Sequence, residues 1–72
     1  MKNRIKVLRA EYDMTQETLA QLVGVTRNTI ISIEKGKYYP SLLIGYRMAR
    51  VFDVDINDIF TYEEGIDDLQ SE

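Results

Sequence analysis

The sequence predicts an all-α chain of five short helices. Three observations carry that prediction. Apolar residues recur at helical rather than alternating spacing; Thr15, Thr26, Ser41 and Asp55 each stand just before such a stretch; and Gly24, Gly36 and Pro40 punctuate the gaps. No strand-like alternation is sustained, and no repeat or low-complexity tract occurs.

Ile5, Leu8 and Tyr12 fall at i, i+3 and i+7 and mark a first helix from about Arg4 to Asp13. Thr15 is a suitable N-cap for a second, from about Gln16 to Val23, because its hydroxyl can accept a free first-turn amide. Gly24 ends it. Thr26 caps a third helix to about Lys35, and Gly36 is the expected left-handed stop. Neither threonine has Glu or Gln three residues later, so the reciprocal capping box is absent there. Lys37 to Pro40 is a connection, since the residue before a proline is pushed out of helical geometry. Ser41 caps a fourth helix to about Phe52, and Asp55 a short fifth from Ile56 to Phe60. Residues 1–62 are thus expected to form one domain and residues 63–72 an acidic tail of low apolar content.

A chain of 72 residues buries only about 60% of its unfolded surface, so a second copy would help its stability. The absence of Cys and His removes disulfides, thiol nucleophiles, the usual zinc ligand sets and the commonest general base. No enzymatic role, cofactor or metal is therefore expected. No apolar run approaches the roughly 18 residues of a membrane span, and no signal-peptide pattern follows the N-terminal basic residues, so a cytoplasmic location is expected. The net charge of -3 conceals a division: residues 1–50 carry all nine basic groups against four acids, a net of +5, whereas residues 51–72 carry eight acids and no base. A basic working surface followed by an acidic end is the expectation.

The most informative stretch is TQETLAQLVGVTRNTIISIEKG, residues 15–36. Two helices crossing through a short turn need a small residue where backbones approach, a residue tolerating positive φ, and inward apolar side chains. Ala20, Gly24 and the set Leu19, Val23, Val25, Ile30 and Ile33 meet those needs in order. With LR at 8–9, TQ at 15–16, IEKGK at 33–37, PS at 40–41 and the ending VDINDIF, the chain from Arg4 to Phe60 resembles the Cro/C1-type helix-turn-helix family of transcription regulators. Departures are Val7, Ala10, Tyr39 and Asp53, the last standing where relatives often have Gly or Asn.

The resemblance implies a compact lambda-repressor-like DNA-binding domain whose third helix enters the major groove. It implies Arg27, Asn28, Thr29 and Ser32 as base readers. Arginine offers two donors to guanine O6 and N7, and asparagine can pair with adenine N6 and N7. Thr15, Gln16, Thr26, Lys35, Lys37 and Tyr38 are the implied phosphate contacts, Gln16 lying where the helix dipole presents its positive end. For the two lysines, simple dipole complementarity after a helix C-terminus is the bland alternative. Tyr38 and Tyr39 could instead pack over Pro40, and for Tyr39 packing is the preferred role. Arg9 and Glu34 resemble a structural ion pair joining the first and third helices.

Asp53, Asp55, Asn57 and Glu64 have the spacing of a calcium loop, but Asp58 occupies the position that needs Gly, and a capped helix is the better reading. The fourth helix carries more apolar residues than one stripe uses. Leu42, Gly45, Met48, Ala49 and Phe52 share one face, and Ile44 and Val51 mark a second direction. Ile44, Val51, Phe60 and Tyr62 are the candidate contacts of a homodimer on a palindromic double-stranded DNA site. Ile66 and Leu69 could dock one helical turn of the tail. The function expected is sequence-specific regulation of transcription, by repression or autoregulation. An antitoxin-like or other protein-interaction module on the same scaffold is the alternative.

Overall fold

The computed structural model describes residues 1–69. Four helices carry the fold: α1 (Ile5–Glu11), α2 (Gln16–Val23), α3 (Arg27–Glu34) and α4 (Leu42–Phe52). The caps explain where they begin. Thr15, Thr26 and Ser41 sit in extended geometry, and their hydroxyls accept from the amides of Thr18, Thr29 and Ile44 at 3.0, 3.2 and 3.2 Å.

The helix ends follow one rule as well. Each of the four turns off through a left-handed residue, Asp13, Gly24, Gly36 or Asp53, with φ of 51, 84, 75 and 55°. At the end of α3 the Gly36 amide reaches Ile33 O and the Lys37 amide reaches Ser32 O, both at 3.0 Å, which satisfies carbonyls the helix leaves open. At Asp53 the same geometry is adopted by a residue with a Cβ, which explains why Gly or Asn suits that place.

The expected fifth helix over Ile56–Phe60 does not form. Ile56–Asp58 is instead a single 3-10 turn, and Phe60–Thr61 forms strand β2, paired antiparallel with β1 (Lys2–Asn3) in the register Lys2 with Thr61 and Asn3 with Phe60. The cause is a competition for backbone. Asp55 and Asp58 close a reciprocal capping box around one turn, after which the Ile59 carbonyl accepts from Arg4 N at 2.8 Å and Phe60 is taken by the ribbon. A further short helix, α5 (Ile66–Leu69), lies in the stretch expected to be tail. Residues 70–72 of that tail, and the Leu69 side chain, lie outside the described residues.

The core gathers Ile5 and Leu8 from α1, Leu19, Ala20 and Val23 from α2, Ile30 and Ile33 from α3, Met48 and Phe52 from α4, and Ile59. Each large side chain so buried contributes about 1.5–3 kcal/mol, so α3 is held by two such anchors, Ile30 and Ile33. Leu42 does not join this face. It begins α4 at the edge of the core and remains 68% exposed, while Gly45, Met48 and Phe52 turn inward. Among the described residues no helix is long and apolar enough to cross a membrane.

Candidate nucleic-acid interface

Three residues, Gly24 to Thr26, separate α2 from α3. The left-handed Gly24 lets its own amide and that of Val25 both donate to Ala20 O, at 2.9 and 3.0 Å. Buried Leu19, Ala20, Val23, Ile30 and Ile33 then lock the two helices together, with Val25 packed at the margin. This packing decides which side chains remain for recognition. On α3, Arg27 and Asn28 are exposed, and Thr29 and Ser32 are partly so, while Ile30 and Ile33 turn inward.

Asn28, Thr29 and Ser32 line one open concavity together with Lys37 and Tyr38. The structure thus brings three of the four candidate base readers beside two of the candidate phosphate contacts. Arg27 lies outside that concavity, at the first turn of α3. Thr15 and Thr26 spend their hydroxyls as caps and also bond the hydroxyls of Thr18 and Thr29, each at 3.0 Å. Lys35 is exposed at the end of α3.

Gln16 is tied from behind. Its Nε2 donates to Glu34 Oε1 at 3.0 Å, and Glu34 also receives Arg9 through Nε at 2.6 Å and Nη2 at 3.3 Å. Arg9 Nη1 donates to Met14 O at 3.0 Å, so one guanidinium links α1, the turn before α2, and α3. With side-chain exposures of 14% and 10%, this fork is largely shielded from water, where planar bidentate geometry fixes orientation. It places the first turn of α2 relative to α3.

Three residues that brace the site gave little or no local signal. Arg47 Nη1 donates to Val23 O at 3.0 Å and stabilises the end of α2 beside the turn. Asn3 Nδ2 donates to Ile33 O at 2.9 Å and secures the end of α3. Asp67 is 5% exposed and binds three chain segments at once: its Oδ1 accepts from the Tyr39 hydroxyl at 2.5 Å and the Met1 ammonium at 2.7 Å, its Oδ2 from Glu63 N at 2.6 Å. The ammonium, then the tyrosine hydroxyl and the Glu63 amide, hold the Asp67 carboxyl down to about 2. That carboxylate in turn pushes Tyr39 up to about 12 and raises the Met1 ammonium. An Arg in mid-helix among apolar residues was the available hint for Arg47, shared with Arg50 one turn on; for Asp67 nothing nearby in sequence marks the partner.

Of the candidate dimer contacts, Ile44, Val51 and Phe60 are partly buried against the chain's own core, and Tyr62 is 58% exposed. Phe60 and Tyr62 share an apolar concavity with Leu42 and Ile56. Leu43 and Tyr46 add exposed apolar surface on α4.

Two packed helices around a left-handed glycine turn, with a polar outer face on the second, define a helix-turn-helix domain. Residues 5–59 match the helix-turn-helix family model HTH_3. The chain belongs to the Cro/C1-type helix-turn-helix family of DNA-binding transcription regulators, a family of regulators and not of enzymes. It is 56% identical over 64 residues to an uncharacterized HTH-type transcriptional regulator of Archaeoglobus fulgidus, covering 89% of this chain and 90% of that one. It is 34% identical to the cryptic phage CTXphi transcriptional repressor RstR of Vibrio cholerae over 86% of this chain, which spans 56% of that repressor. The crystal structure of a restriction-modification controller protein from Aeromonas hydrophila superposes with a TM-score of 0.72 at 32% identity, covering 79% of this chain and 86% of that one.

Proposed function

We propose that this protein represses transcription, its own gene's included, by occupying a palindromic operator as a homodimer in the cytoplasm. Residues 1–62 are the DNA-binding unit. Each copy sets α3 in a major groove, with Arg27, Asn28, Thr29 and Ser32 toward base edges and Thr15, Gln16, Thr26, Lys35, Lys37 and Tyr38 toward phosphates. The observation that carries this reading is the division of α3 between two buried isoleucines and an outward polar row that shares a concavity with Lys37 and Tyr38. The second copy covers the surface around Phe60 and Tyr62, with the outer edges of Ile44 and Val51, and spaces the two α3 helices about 34 Å apart. The likeness to a named repressor supports the sign of regulation.

Selection of bound duplexes from a random pool tests the reading. The expected product is a palindromic consensus whose half-sites lie one helical turn apart. A pool that never enriches, with the folded protein instead holding a protein partner in stoichiometric amount, would sink it.

A further inference from the structure

Lys37 and Tyr38 face the concavity beside α3, yet residues 38–40 belong to neither helix nor strand. What fixes them lies on the other side of the loop. Tyr39 sends its hydroxyl to Asp67 in α5, 28 residues away, and the Met1 ammonium reaches the same carboxylate and also Glu63 Oε1 at 3.3 Å. The N-terminal segment runs along the end of α3: Asn3 holds Ile33 O, and a methyl group on Gly36 would come within 3.7 Å of Met1 O. A carboxylate this well buried, with donors from three places in the chain, resists any shift of Tyr39, since moving it would cost a buried charged acceptor one of its hydrogen bonds.

We propose that Asp67 and Tyr39 are positioning residues for the phosphate-contacting loop, the C-terminal turn clamping Tyr39 so that Lys37 and Tyr38 stand ready beside α3. The inference rests on the DNA-binding reading and deepens it: an acidic end of the chain strengthens contact with an acidic ligand, by ordering the basic loop from behind. Neither residue touches the DNA. Their loss therefore weakens binding without altering which sequence is preferred.

The test uses Tyr39→Phe and Asp67→Asn in the full chain, on the selected duplex and on a scrambled one, across a series of salt concentrations, with folding checked by circular dichroism. Each variant is expected to bind both duplexes about three- to tenfold more weakly, with a slope of log affinity against log salt flatter by roughly 0.9, the signature of one lost phosphate contact. Lys37→Ala is expected to add little in the Asp67→Asn background. Tyr39→Phe removes a single oxygen and keeps the test open if Asp67→Asn does not fold. Lower thermal midpoints with affinity and salt slope unchanged would overturn the proposal, as would a changed sequence preference. If the unaltered chain binds neither duplex, the DNA reading fails first and the inference with it.

Discussion

Gly24 and Arg47 share one small volume. A methyl group on Gly24 would lie 2.9 Å from Arg47 Nη1, the atom that donates to Val23 O. The guanidinium is the far end of a flexible side chain and can move aside, but the φ of 84° at Gly24 cannot be relieved that way. Gly24→Ala is expected to lose about 1–2 kcal/mol, mostly backbone strain. Because the methyl group also displaces Arg47, Arg47→Ala should then do less harm than in the unaltered chain, an interaction that a denaturation double-mutant cycle reads directly.

Removing one member of the Arg9–Glu34 fork leaves the other largely buried without compensation. Arg9→Met is expected to destabilise by roughly 2–4 kcal/mol, at or below the value for a fully buried pair because both side chains retain some exposure. Glu34→Leu added to Arg9→Met should recover part of that loss in urea titrations. The double variant still releases Gln16, so DNA affinity should remain reduced when stability has returned.

Arg27→Ala and Lys37→Ala should separate reading from gripping. The first is expected to relax preference at one base position by about 1–3 kcal/mol of discrimination. The second should weaken all duplexes alike and flatten the salt dependence. Competition binding with single-base variants of the selected site distinguishes them, and equal, sequence-blind loss from both would contradict the assignment.

The Asp67 cluster makes stability depend on pH at both extremes. With its carboxyl held at about 2 against an ordinary 3.8, Asp67 contributes stability that is complete above the ordinary value and fades as pH falls through the lower one. The Met1 ammonium is raised above 8.0, so its contribution is complete below 8.0 and is lost as pH rises through its folded value. Tyr39, raised from 10.0 to about 12, loses its contribution in the same direction at still higher pH. Thermal midpoints of Asp67→Asn should fall less than those of the unaltered chain in both windows.

Leu42 and Tyr62 meet in one concavity and are 68% and 58% exposed. If a second copy covers this surface, Tyr62→Lys or Leu42→Lys should shift the sedimentation of the free protein toward monomer and weaken operator binding. The fold should be unaffected, since neither residue belongs to the core. A monomer of unchanged affinity would remove this surface from the dimer.

Helix α1 was legible from apolar spacing alone, its N-cap Arg4 making no side-chain cap bond, and α2 to α4 because their signals are local: a hydroxyl cap at one end, a left-handed residue at the other, and apolar spacing between. The hinge was legible for the same reason, as Ala20, Gly24 and Ile30 lie within one short stretch. The Ile56–Phe60 helix was misread because Phe60 pairs with Asn3, a partner 57 residues earlier that no local pattern announces. Distance along the chain likewise hid the contacts of Asp67 with Tyr39 and of Arg47 with Val23. Ile44 and Val51 looked like surplus apolar surface, since periodicity cannot tell how far a core extends around a helix; the structure seats both partly against it.

The turn at Gly36 stops α3 after eight residues. At 1.5 Å per residue that is about 12 Å, and at 3.4 Å per base pair one copy inspects roughly four base pairs. Four fully resolved positions carry about 8 bits, whereas one address among about a million competing sites needs about 20. The two copies of the proposed dimer would reach only about 16. On the proposed dimer the shortfall would fall to the stiffness and shape of the DNA between half-sites or to neighbouring operators occupied together, so the brevity of one helix would bear on how the regulated region itself is written.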